Sequence, residues 1–278
     1  MLERFDPALR KRLVSALVMA AIALAGVAQG GWAFAALVGL ASAAMAVEWA
    51  RMVQAIGQHR AGRPGGTDPL ALGLALSAPL AGIALAVQGW AGLALAVPLA
   101  LAAVGMVLAR LVRGGPVWLV ALGPVYLGLP AVALIWLRAV DQGGMSLVVW
   151  LFVVIWTTDT AAYFVGRTLR GPKLAPAISP GKTWSGAIGG TIAAAIASLL
   201  VVRITGGVAW AAPVAAVVSA VGQAGDLFES WIKRLAGAKD SGTLIPGHGG
   251  ALDRLDAMLW AAPALALIVA VLGEDLLT

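Results

Sequence analysis

Residues 117–137 read VWLVALGPVYLGLPAVALIWL, a run without one charged side chain. As a helix, about 20 consecutive apolar residues cross the hydrocarbon core of a bilayer. Lipid offers no partner to an open strand edge, so such a run must pair its backbone groups within itself. Runs of about 17–23 residues, the length a span requires, recur near 13–29, 31–47, 70–88, 90–109, 145–165, 185–202, 208–227 and 257–273. Composition agrees: 278 residues, 61% hydrophobic and 12% charged, with a mean hydropathy of +0.93. The implied fold class is an all-α polytopic integral membrane protein, a single helical bundle with about nine transmembrane helices. The alternating strands of a barrel are missing. Thirty-five glycines and many alanines predict helices that pack closely, because small residues let backbones approach in lipid.

The cations orient the bundle. With the N-terminus in the cytoplasm, all but Arg138 and Arg203 of the 19 Lys and Arg residues fall on one side, which the positive-inside rule makes cytoplasmic. The net charge of +6 then reports topology and attraction to anionic head groups. It does not indicate nucleic acid, since no soluble platform interleaves aromatic and basic residues. A second span and a further basic loop follow the first span at once, so a retained helix is expected rather than a cleaved leader. The absence of cysteine excludes disulfides, thiolate metal sites and cysteine nucleophiles.

Function concentrates in the C-terminal half. Residues 1–144 are transmembrane hairpins suited to packing and oligomer contacts; Glu48, at the end of the second span, reads as an interfacial residue. Residues 145–278 form a continuous catalytic region in which membrane segments meet charged loops. Asp159 lies inside a span, where a carboxylate costs about 2.5–3.5 kcal/mol on insertion scales. It is expected to face a polar cavity with Tyr163, four residues on, or else to make a buried helix–helix hydrogen bond. Ser179-Pro-Gly-Lys182-Thr183 invites comparison with a phosphate-binding loop, but that pattern needs glycine where Pro176 stands and a strand before it. What remains is backbone N–H groups, an ammonium and hydroxyls at a helix start, which suit an anion.

Asp226, Ser230 and Lys233 share a helix face, with Glu229 beside them; they could form a plain ion pair or hold a metal and a phosphate. Lys239, Asp240, His248, Gly249, Gly250, Asp253, Arg254 and Asp256 follow within one short segment. Carboxylates there suit a helix N-terminus. Equally, hard oxygen ligands beside cations are what a magnesium–polyphosphate substrate requires. Two distant histidines and no cysteine make zinc improbable.

Residues 230–256, SWIKRLAGAKDSGTLIPGHGGALDRLD, resemble the signature of the membrane phosphatidate cytidylyltransferase (CDP-diacylglycerol synthase) family. The blocks D-x-x-A-Y-x-x-G-R from Asp159 and S-P-x-K-T-W from Ser179 are similar to it too. The family usually carries a basic residue and a glutamate where this chain has Gly181 and Ser185. The resemblance implies transfer of a cytidylyl group from CTP to phosphatidic acid, with release of pyrophosphate. It implies Mg²⁺ as cofactor, with a second cation as a further option, and a homodimer in a bacterial inner membrane with its site facing the cytoplasm. On that footing Asp226, Asp253 and Asp256 are expected as metal ligands and Asp159 as a polar-cavity residue. Lys233, Arg234, Lys239 and Arg254 are expected to clamp phosphate, helped by Ser179, Lys182, Thr183, Asp240, Gly249 and Gly250. Ser230 is expected either to touch the lipid phosphate or to cap the site, and His248 to donate to phosphate rather than act as a base.

Three rival functions stand beside this one. A CDP-alcohol phosphatidyltransferase would need a D-G-x2-A-R pattern that is missing. A CTP-dependent polyprenol or lipid kinase would release CDP instead of pyrophosphate. A proton-coupled transporter could use Asp159 and Asp226 as relays, but it leaves the glycine-flanked His248 and the Asp-Arg-x-Asp motif without a task.

Overall fold

The structure, a computed structural model, describes residues 7–59, 67–112, 116–141, 143–205, 211–244 and 249–273. Every predicted span forms a helix among them: α1 Pro7–Gln29, α2 Gly31–His59, α3 Pro69–Val87, α4 Ala91–Val112, α5 Val117–Ala139, α6 Gly144–Leu169, α7 Trp184–Thr205, α8 Ala211–Leu235 and α9 Leu252–Leu272. Among the described residues eight of these helices are long and apolar enough to cross a membrane, and Val14–Gln29 of α1 is a shorter apolar helix. The chain is therefore a multi-pass membrane protein. The break between the third and fourth spans falls at Gln88-Gly89, where Gly89 turns at φ +81° and donates to Ala86 O at 3.0 Å.

The chain divides into two compact units, residues 1–135 with 235–255, and residues 136–234 with 256–278. In the first, α2 packs on α3 and α3 on α4. Asp68 caps α3 by accepting from Ala71 N at 3.0 Å, and Pro69 follows where a helix start tolerates its missing N–H. Trp49 is buried: its Nε1 donates to Leu119 O at 3.2 Å, and its ring lies 5.1 Å from that of Tyr126. The first contact follows from the rule that a buried indole N–H must find an acceptor.

In the second unit α6 and α7 pack backbone to backbone. A Cβ at Gly186 would come within 2.7 Å of Ala162 O, and one at Gly190 within 2.8 Å of Thr158 O. Thr158 and Ala162 are one turn apart on α6, as are Gly186 and Gly190 on α7, so small residues line both faces of the seam. A polar ladder joins α8 to it. Thr158 Oγ1 lies 2.9 Å from Ser219 Oγ, Ser219 lies 3.3 Å from Thr191, and Gln223 Nε2 donates to Thr191 Oγ1 at 3.0 Å. In hydrocarbon such bonds hold helices together because the alternative is an unsatisfied polar group. α9 lies against α8 where a Cβ at Gly225 would meet Trp260 at 2.7 Å. The Phe228 and Trp260 rings sit 5.4 Å apart.

Candidate active site

Between α6 and α7 the chain forms a two-stranded antiparallel hairpin, β1 Lys173–Ala175 and β2 Ser179–Thr183, with Lys173 opposite Thr183 and Ala175 opposite Ser179. A short strand does therefore precede the Gly-Lys-Thr tripeptide, contrary to the sequence expectation. The tripeptide itself lies in a strand, so its backbone is extended and does not wrap an anion as a phosphate-binding loop does. Thr183 ends β2 as the cap of α7, accepting from Gly186 N at 3.1 Å. Ser185 donates to Arg170 O, tying the start of α7 to the end of α6.

That hairpin delivers Lys182 to α8. Its Nζ lies 2.5 Å from Asp226 Oδ2, and both side chains are about a quarter exposed, at 27% and 28%. Ser230, one turn along, reaches Asp226 Oδ1 at 3.5 Å. Below them Lys233 pairs with Glu229, both buried. Arg234 Nε donates to Ile178 O at 3.2 Å, fastening the hairpin to the end of α8. The predicted face of Asp226, Ser230 and Lys233 thus carries alternating charge, joined by an ammonium from the hairpin. Asp256, half-buried near the start of α9, interacts electrostatically with Asp226, Glu229 and Asp159 and accepts from Ala257 N at 2.7 Å. Asp159 is exposed on α6, as is Tyr163, whose hydroxyl accepts from Arg167 Nη1 at 3.1 Å. Ser179 is half-buried in β2.

The remaining predicted residues belong to the first unit. Asp253 accepts from Ser241 N at 3.2 and 3.0 Å through its two oxygens and from Gly250 N at 2.8 Å. Gly249 reaches φ +86°, and a Cβ there would come within 2.9 Å of Asp253 Oδ2. Glycine is needed on both counts. Lys239, Asp240 and Arg254 are exposed. His248 lies outside the described residues.

Glu48 and Ser241 carry a role that the residue patterns did not suggest. Glu48 is 2% exposed and accepts from Ser241 Oγ at 3.0 Å and from the amides of Ala251 and Leu252, each at 2.9 Å. The available signal was a carboxylate inside an apolar helix, which requires donors somewhere in the fold.

Among the described residues no group of three or more His, Cys, Asp and Glu side chains is arranged to hold a metal. The donor chemistry nonetheless fits a hard divalent cation. Asp226 and Asp256 offer carboxylate oxygens in one unit, and Lys182 already places a positive charge beside Asp226. A carboxylate has about four acceptor sites, so the amide bonds to Asp253 orient its oxygens and leave capacity for a cation.

A model of the cytidylyltransferase family matches residues 10–272. A phosphatidate cytidylyltransferase of Brucella suis is 52% identical over 166 residues, covering 58% of this chain and 59% of the relative. One of Bacillus subtilis is 40% identical over 154 residues, covering 54% and 57%. One of Rickettsia prowazekii is 36% identical over 156 residues, covering 53% and 68%. The chain thus spans 59% of the length of the Brucella relative.

Proposed function

This chain belongs to the cytidylyltransferase family, and we propose that it transfers the cytidylyl group of CTP to phosphatidic acid at the cytoplasmic face of a bacterial inner membrane. A phosphate oxygen of the lipid forms a bond to the α-phosphorus of CTP. The bond from that phosphorus to the bridging oxygen breaks, and pyrophosphate leaves with the electron pair. A phosphomonoester, with a second pKa near 6, is largely dianionic at neutral pH and needs no strong base. The obstacle is the approach of two polyanions, so positioning and charge neutralisation must supply most of the rate.

The observation that carries this reading is the Lys182–Asp226 pair at 2.5 Å, which sets an ammonium and a hard oxygen donor side by side. In the proposed reaction Lys182 turns from Asp226 to the triphosphate, and Asp226 and Asp256 are freed to hold a cation; Asp253, in the first unit, is proposed as a cation ligand in its own right. Mg²⁺ bound there would neutralise phosphate charge and stabilise the departing pyrophosphate. Lys233 is held at a fixed point on α8 by its pairing with Glu229. Lys239 and Arg254, both exposed, are the cations assigned to the phosphates. Ser230 orients Asp226 and offers its hydroxyl to the lipid phosphate.

The test is purified protein in detergent with phosphatidic acid, labelled CTP and Mg²⁺. A CDP-lipid and pyrophosphate in equal amounts, both abolished by a chelator, are expected. Release of CDP with a phosphorylated lipid would assign a kinase instead, and turnover in excess chelator would remove the metal. A homodimer belongs to the same proposal, and a single-copy mass in detergent would remove it.

A further inference from the structure

We propose that Glu48 is a positioning residue for the segment bearing Lys239, Asp240 and Asp253, holding it through a carboxylate seated on the N-terminus of α9. This inference rests on the assignment of that segment to phosphate and metal binding. Its physical basis is separate from that assignment.

Glu48 is joined to residues 193 to 204 positions away, by bonds to Ser241 Oγ, Ala251 N and Leu252 N at 3.0, 2.9 and 2.9 Å. The first amides of a helix have no partner within it, and a negative charge there is favoured by the helix dipole. Ala251 and Leu252 supply two of those amides at the start of α9. Buried at 2% exposure, the Glu48 carboxylate in turn needs such donors. Neither partner is satisfied without the other.

The backbone is shaped around this carboxylate. A Cβ at Gly242 would lie 2.6 Å from Glu48 Oε1, and one at Gly250 would lie 2.6 Å from Oε2. Glycine at both positions lets the chain close on Glu48 from two sides. Ser241 is gripped twice, its hydroxyl by Glu48 and its N–H by Asp253. Gly250 N also donates to Asp253, so two carboxylates share the amides of Ser241 and of 250–252. Lys239 and Asp240 run directly into that anchor, and Asp253 takes its own orientation from it. A shift of Glu48 would therefore move the predicted ligand Asp253 and the preceding cation together.

The experiment compares Glu48→Gln, Glu48→Asp and Gly242→Ala with the full wild-type chain in detergent. Gln keeps the shape but turns an N–H₂ donor toward N–H and O–H donors. We expect hydrogen exchange at Ser241 and 250–252 to rise at least about tenfold in Glu48→Gln while α5 and α6 keep their protection. Turnover should fall about tenfold or more, with KM for CTP changing less than about threefold. The Mg²⁺ concentration for half-maximal activity should rise, and Glu48→Asp should restore part of both losses. Gly242→Ala leaves Glu48 intact but intrudes on its carboxylate, so it should reproduce the exchange and turnover changes; it decides the matter if Glu48→Gln does not fold. Wild-type exchange and turnover in either folded variant would overturn the proposal, as would lost protection with unchanged turnover and Mg²⁺ dependence. Should wild-type protein make no CDP-lipid, the proposed function fails, and exchange alone then decides whether Glu48 holds the segment.

Discussion

Lys182 and Asp226 each satisfy the other's charge, and either can be removed without opening the core, since both are partly exposed. Lys182→Ala should raise KM for CTP by about fivefold to tenfold, since a partly exposed phosphate contact is worth about 1 kcal/mol. Initial rates over a CTP series will show it; an unchanged KM with normal turnover would make Lys182 only a topological cation. Asp253→Asn is a harsher change. Its Oδ2 accepts from both Ser241 N and Gly250 N, and a neutral amide oxygen there accepts more weakly while the second oxygen is replaced by an N–H₂ that cannot bind a cation. Activity in CDP-lipid formation should fall more than tenfold, equivalent to about 1.4 kcal/mol of barrier, with the protein still inserted. Retention of more than about a tenth of the activity would remove Asp253 from the metal.

At the level of elements, the seam between α6 and α7 sets where the hairpin leaves the bundle and so where Lys182 arrives. Gly190 faces Thr158 O at a distance no side chain tolerates, 2.8 Å to a Cβ. Gly190→Leu should cost about 1–3 kcal/mol of stability through overpacking. Thermal unfolding in detergent should show a midpoint lower by several degrees. An unchanged midpoint would mean that the helices do not pack this closely. The hairpin is anchored to the end of α8 by Arg234 Nε on Ile178 O. Arg234→Ala should weaken activity several-fold, and Arg234→Lys should not restore it, because an ammonium lacks the guanidinium's fixed donor geometry. Parallel kinetics on the two variants will separate lost charge from lost anchoring.

For the whole molecule, the distribution of cations makes a topological prediction that the cysteine-free chain makes simple to test. Lys173→Cys in the hairpin should react with a membrane-impermeant maleimide only when the cytoplasmic side is opened. Asp141→Cys, next to the α5–α6 turn, should react from the opposite side. The reverse pattern would invert the bundle and with it the direction from which CTP must come.

The span positions, the helical class and the chemically dense region 230–256 were legible in the residues alone. Backbone satisfaction in lipid is a local constraint: a run such as 117–137 has one solution whatever surrounds it. Helical spacing likewise placed Asp226, Ser230 and Lys233 on one face before any packing was known. The hairpin was not legible, because Lys173–Ala175 is too short to show a period and is defined by its pairing with Ser179–Thr183. Nor was the role of Glu48, which looked interfacial until Ser241, Ala251 and Leu252, some two hundred residues away, were found to donate to it. A carboxylate in an apolar helix announces that it must have donors. Only the tertiary fold, which sets which distant amides reach it, decides what those donors are.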